Sequence, residues 1–188
     1  MKRFLIPTWL YLLFLMSCST ASDPEPATAL KDKKYTIDSL INKDRKLIVM
    51  AKVRGQDAIG AMPKDPAQVE VVYNILKDKN GRIVYISEMP KSPNDDWFIA
   101  CKSYFDENGN LFAFQRQNNF FNSECTKGAA LENLQRFYND KFDVLDSVYT
   151  LTDSYKKDLT EAPCKFPYNF PYKIYKNVDE YRGTVKGL

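Results

Sequence analysis

Histidine, the side chain most often used for catalysis near neutral pH, occurs nowhere in the 188 residues of this sequence. Without it the chain cannot build a Ser-His-Asp or Cys-His nucleophile, or a histidine-containing zinc site. The commonest general base of enzymes is also missing. Catalysis by paired carboxylates, lysine, tyrosine or backbone groups stays open.

The carboxylates offer few candidates for such chemistry. Asp95 and Asp96 could act as metal ligands or as an acid–base pair, but neighbouring side chains on a strand or turn point apart. Two strings, Asp78-Lys79-Asn80-Gly81 and Asp106-Glu107-Asn108-Gly109, begin like calcium loops but lack the glutamate needed at the twelfth position. The chain also has no glycine-rich phosphate loop. We therefore predict no catalytic residue, no metal site and no cofactor.

The start of the chain has the pattern of an export signal. Lys2 and Arg3 are followed by residues 4–16, which carry no charge. This run is shorter than the roughly 20 apolar residues that a membrane-spanning helix needs. It ends in Leu15-Met16-Ser17-Cys18, which resembles the lipobox of bacterial lipoproteins.

The lipobox resemblance implies that residues 1–17 are a signal peptide and that Cys18 is lipidated. Ser19 stands where, in that family, an aspartate would favour retention in the inner membrane. The resemblance therefore implies a protein anchored by lipid in the outer membrane, facing either the periplasm or the cell surface. The alternative is an uncleaved start in which Cys18 occurs by chance.

Charge and composition indicate the kind of partner and the division of the chain into tether and domain. Without Lys2 and Arg3 the chain keeps 25 of its 27 basic residues, against 24 acidic ones. A nearly neutral protein has no electrostatic footprint for nucleic acid, so we expect no nucleic-acid partner. Residues 18–29 are small, polar and proline-containing and are predicted to be a flexible tether. Residues 30–188 suit a single globular domain.

Two Asn-Gly pairs give the clearest structural signal. Asn80-Gly81 and Asn108-Gly109 each separate two strand-like runs, which is typical of β-hairpins with two-residue turns. In the second hairpin this turn would place Ser103 opposite Phe114. One buried face would then contain Trp97, Ile99, Cys101, Phe105, Phe112, Phe114 and Phe120.

Apolar residues at helical spacing predict helices over 36–54 and 126–139. An alternative interpretation ends the first helix near residues 42–44 and makes 47–50 a strand. The predicted fold class is α+β: a twisted antiparallel meander sheet with two Asn-Gly hairpins and two packed helices.

The C-terminal part repeats aromatic residues around prolines. The residues Phe166, Tyr168, Phe170 and Tyr172 are candidate binding residues, because exposed rings could stack on sugars or hold a peptide. We favour the interpretation that this segment crosses the domain with its rings against the sheet. A disulfide between Cys125 and Cys164 would fix it there, leaving Cys101 as a buried free thiol.

The sequence leaves several functions open. The leading hypothesis is a non-enzymatic binding or interaction module, with the membrane reached through the lipid anchor and an envelope protein or glycan as partner. The alternatives are a glycan-active enzyme that uses two carboxylates, and a hydrolase inhibitor. Over about residues 69–121 the chain resembles Gram-negative envelope lipoproteins with Asp-x-Asn-Gly hairpins, and that resemblance implies no activity.

Overall fold

One antiparallel sheet of eight strands forms the body of the computed structural model, which describes residues 26–44, 46–121, 124–166, 168 and 170–188. The strands are β1 (Ile48–Val53), β2 (Ile59–Gly60), β3 (Val69–Lys77), β4 (Ile83–Pro90), β5 (Trp97–Phe105), β6 (Leu111–Phe120), β7 (Ala130–Tyr138) and β8 (Val144–Asp153). Their order is β2-β1-β3-β4-β5-β6-β7-β8, so the sheet is open. The predicted antiparallel sheet is confirmed, and the architecture is compatible with the α+β class.

Two helices cover the sheet, one on each face. Helix α1 (Pro26–Asp44) places Leu30, Ile37 and Ile41 against an apolar cluster that includes Tyr104. At the contact between α1 and the sheet, the Tyr104 hydroxyl donates to Asp38 Oδ1 at 2.8 Å. Helix α2 (Val178–Thr184) packs on the opposite face, where the larger core cluster lies. A short 3₁₀ helix (Pro66–Gln68) precedes β3.

The first predicted helix is misplaced. The helix over 36–54 ends at Asp44 in the structure, and the chain continues as β1 beside β3. The alternative interpretation, with a strand from 47–50, is the better one, because β-branched Ile48 and Val49 pack well on a pleated surface. The same helix begins at Pro26, so residues 26–29, expected to belong to the flexible tether, are helical.

The second predicted helix, 126–139, is wrong, because its main part forms β7. Ala130, Glu132 and Leu134 lie opposite Phe120, Asn118 and Arg116 of β6. The buried position in the middle of this strand is thus a glutamate, which disrupts the apolar alternation that would identify a strand from sequence. The second helix of the structure, α2, was not predicted.

The end of the chain carried a capping signal for that helix. Asn177 Oδ1 accepts a hydrogen bond from Glu180 N, and Glu180 Oε2 accepts one from Lys176 N, both at 2.8 Å. This Asn-x-x-Glu spacing is a variant of the capping box that starts many helices. It identifies the beginning of α2 from sequence, although the helix is only seven residues long.

The Asn-Gly pairs do not form the predicted two-residue turns. At the β5–β6 connection, Asp106 N donates to Asn110 O and Gly109 N donates to Asp106 O, and only Gly109 has a positive φ, at 81°. The register Ser103–Phe114 is as predicted, but Phe105 pairs with Leu111 because of a bulge. Phe112, expected on the Trp97 face, therefore packs in the opposite cluster with Tyr104.

The same turn geometry occurs at four places among the described residues. In each, an Asp or Asn side chain accepts hydrogen bonds from the backbone N–H groups two and four residues later. The first residues of the turns are Asp78, Asp106, Asn139 and Asp153. The residue three positions on has a positive φ: Gly81, Gly109, Phe142 and Lys156. The repeated element is thus the Asx side chain at the start of the turn.

Replacing Lys156 with glycine is expected to raise the free energy of unfolding by about 1 kcal/mol, because its φ of 65° is unfavourable for a residue with a Cβ atom. Urea unfolding measures the change. Lys157→Gly is the matched control, since its φ is not positive, and it should lower stability. A Lys156→Gly variant no more stable than wild type would contradict the strain. Phe142→Gly is unsuitable because its ring stacks on Tyr138 at 4.6 Å.

Candidate functional site

The segment from Cys164 to Tyr175, here called the strap, crosses the face of the sheet that also carries α2. Its rings stack on sheet aromatics, with centroid distances of 4.3 Å for Phe166 and Phe120 and 4.6 Å for Tyr168 and Trp97. Further along, Tyr172 stacks on Phe114 at 5.5 Å. These contacts agree with rings directed against the sheet. Two of the four candidate binding residues, Tyr168 and Phe170, also border open space.

The strap is fixed at both ends. At its start, Cys164 forms a disulfide with Cys125, the pair expected from the sequence. At its end, the backbone pairs with the β5–β6 turn region, where Leu111 N donates to Lys176 O at 2.8 Å and α2 follows. The path of the strap is therefore set by one covalent bond, one helix and the stacked rings between them.

A groove with a volume of about 600 Å³ lies beside the strap, over the ends of β1, β3 and β4. Tyr168 and Phe170 form one wall, and Tyr73 and Glu88 lie among its lining residues. Tyr73 and Glu88 are directly opposite in the β3–β4 pair, so they share this face of the sheet. The volume is within the range of small-molecule and oligomer binding sites.

The Glu88 carboxylate is held by two tyrosines from different elements. The Tyr73 hydroxyl donates to Oε1 at 3.3 Å, and the Tyr181 hydroxyl of α2 donates to Oε2 at 3.2 Å. The pKa of Glu88 is raised, because the effect of burial exceeds the lowering effect of these hydrogen bonds and of the charge of Lys52. Glu88 thus joins the sheet to α2, and its hydroxyl partners occupy both of its oxygens.

Three cationic residues border the groove: Lys52, Arg54 and Lys91. Lys91 Nζ donates to the carbonyl oxygen of Pro66 at 2.9 Å. Within the described part of the chain, none of the three forms an ion pair with a carboxylate. Glu70 also borders the groove, but strand alternation directs it to the face opposite Val69 and Val71. The groove therefore has more positive than negative side chains.

A second polar cluster is buried on the same face of the sheet. Glu132, only 7% exposed, accepts hydrogen bonds from Arg116 at 2.9 Å, Asn118 at 2.6 Å and Tyr149 at 3.1 Å. The Arg116 guanidinium lies 4.8 Å from the centroid of the Tyr172 ring, so the cluster lies next to the strap. Because the Glu132 carboxylate is buried and hydrogen-bonded to three side chains, we interpret the cluster as structural.

The remaining residues with candidate chemistry are held in structural contacts. Ser92 Oγ donates to Asp96 Oδ1 at 2.7 Å within the loop before β5. Asp95, in the same loop, has a positive φ of 54°. Cys101 is a buried free thiol, and burial raises its pKa to about 12. The described residues contain no group of three or more Asp, Glu or Cys residues that could hold a metal ion.

The expected lipidation site, Cys18, lies outside the described residues, as does the whole of 1–25. Across the part of the chain that is described, neither helix is long and apolar enough to cross a membrane. Sequence reasoning found the groove rings Tyr168 and Phe170 but missed Glu88 and the three cations. A lysine within β1 and an arginine and a lysine just after β1 and β4 give no pattern of their own, and only the strand pairing brings them to one place.

Comparisons with protein-family models, with curated proteins and with solved structures find no match for this chain.

Proposed function

We propose that this protein is a lipid-anchored binding module of the bacterial outer membrane, with the strap groove as its binding site and a component of the cell envelope as its ligand. The observation that carries the proposal is the groove itself. It combines a wall of two rings, Tyr168 and Phe170, with cationic side chains on or next to paired strands. Rigid supporting strands suit recognition, because little entropy is lost when a ligand is held.

A binding role fits the groove better than catalysis does. Among the residues that line it, Glu88 is the carboxylate on the groove face, and two tyrosine hydroxyls occupy its oxygens. Glycoside hydrolysis by the usual route needs a second carboxylate about 5–9.5 Å away across the substrate. Strand alternation directs Glu70 to the other face, so it does not supply that partner.

Anchoring is tested by expressing the full chain with Cys18→Ala. We expect the wild type to incorporate a labelled fatty acid and to sediment with outer membranes, and the variant to do neither. A stable lipid anchor needs more than one acyl chain, so loss of acylation should release the protein. Membrane association of the variant without acyl label would refute the lipid anchor.

Binding is tested by crosslinking the full chain to isolated envelopes and identifying the captured component. A Tyr168→Ala, Phe170→Ala double variant should no longer capture that component, because both rings of the groove wall are removed. Tyr155→Ala is the matched control, since this tyrosine is 90% exposed and lies outside the groove. Equal capture by both variants would refute the groove as the binding site.

A further inference from the structure

On the basis of the proposed binding function, the charges and the backbone of the groove indicate the chemical class of its ligand. The floor consists of β1, β3 and β4, and the central strand β3 is paired along both of its edges, with β1 and with β4. A peptide therefore could not bind within this floor by β-strand addition, the binding mode in which main-chain hydrogen bonds supply the affinity. Recognition must come from the side chains that line the groove.

These side chains fall into two chemical sets. Tyr168 is 38% exposed and Phe170 is partly exposed, so each has ring surface available to a ligand. The C–H faces of a pyranose ring pack well on such surfaces. Lys52, Arg54 and Lys91 supply the second set, and cations of this kind bind carboxylates with charge-assisted hydrogen bonds.

We infer that the groove binds an acidic glycan, with sugar rings stacked on Tyr168 and Phe170 and a sugar carboxylate bound by Arg54 and Lys52. Glu88 also lines the groove. The hydroxyls of Tyr73 and Tyr181 donate to its carboxylate and so weaken its electrostatic repulsion of an acidic ligand. An acidic peptide would satisfy the cations but would leave the rings of Tyr168 and Phe170 without a matching partner.

The test uses the full chain in detergent with a panel of acidic and neutral oligosaccharides, including tetragalacturonic acid and its fully methyl-esterified form. The ester has the same sugar rings without the charge. We expect binding to be confined to carboxylate-bearing oligosaccharides and to weaken as salt rises. Binding of neutral sugars alone, or of no acidic oligosaccharide in the panel, would overturn the inference.

Substitutions locate the binding on the molecule. The Lys52→Met, Arg54→Met variant should lower affinity for the bound acidic oligosaccharide by at least roughly tenfold, since charged hydrogen bonds are strong. Glu88→Gln should raise it, because a negative charge facing the ligand is removed. Lys79→Met, in the turn that follows the opposite end of β3, is the control. Unchanged affinity in the double variant would place the binding elsewhere.

The outcomes separate this inference from the proposed function. If no acidic glycan binds but the Tyr168→Ala, Phe170→Ala variant still loses an identified envelope protein, the groove is a binding site of another kind. If that variant loses nothing and no glycan binds, both proposals fail. Circular dichroism of each variant excludes unfolding as the cause of lost binding.

Discussion

Removal of the Cys125–Cys164 disulfide is expected to lower the free energy of unfolding by about 4 kcal/mol. The two cysteines are 39 residues apart, and a cross-link of that span removes this much conformational entropy from the unfolded chain in the loop-entropy treatment. The bond also fixes the start of the strap, so Phe166 should lose order first. Urea unfolding of a Cys125→Ala, Cys164→Ala variant measures the effect.

The matched control for the disulfide is Cys101→Ala, which removes a buried thiol without removing a cross-link. It should cost about 1 kcal/mol, the usual effect of a single substitution. Reduction of the wild type should lower its stability by nearly as much as the double substitution does. If the double variant unfolds at the same urea concentration as the wild type, the disulfide does not stabilise the fold.

The second large effect is expected for Glu132→Ala, which should cost about 3–5 kcal/mol. The substitution leaves the Arg116 guanidinium and the Asn118 amide buried without their shared acceptor. Asn118 is only 4% exposed, and its Oδ1 and the Arg116 Nε already have no hydrogen-bond partner among the described residues. Water therefore has little access to compensate.

A double-mutant cycle shows whether an unpaired charge or lost packing destabilises the Glu132→Ala variant. Replacing both charges, in Arg116→Met with Glu132→Leu, should restore most of the stability, because an apolar pair of similar size leaves no charge uncompensated. The coupling energy from the cycle gives the strength of the ion pair. If the double variant is as unstable as Glu132→Ala, lost packing rather than an unpaired charge explains the effect. Arg116 also packs on Tyr172, so some loss will persist.

Local chemistry made part of this structure predictable. The strand runs around residues 69–87 and 97–115 have β-branched and aromatic residues at short spacing, and they form the centre of the sheet. The pairing of Cys125 with Cys164 followed from their loop positions and from the burial of Cys101 in a strand. Within β5 and β6 the register expected from a two-residue turn at Asn108-Gly109 holds from Trp97 to Tyr104 and ends at the bulge next to Phe105.

Some of the errors occur where tertiary contacts override the local pattern, and others where local side-chain hydrogen bonds set the turn. Glu132 is buried in β7 because Arg116 and Asn118 arrive from β6 to pair with it, which no local window reveals. The turns at Asn139 and Asp153 lack glycine, so only their side-chain hydrogen bonds identify them. The groove combines β1, β3, β4 and the strap, and its lining residues extend along the chain from Lys52 to Phe170.

The burial of Cys101 also bears on how the chain reaches its native disulfide. In an unfolded chain, Cys125 meets Cys101, 24 residues away, roughly twofold more often than Cys164, 39 residues away, by loop closure alone. Packing of the core cluster on this face of the sheet buries the Cys101 thiol, and burial raises its pKa, which removes the reactive thiolate. If this packing precedes oxidation, the order of folding selects the correct bond, and the third cysteine is protected from mispairing.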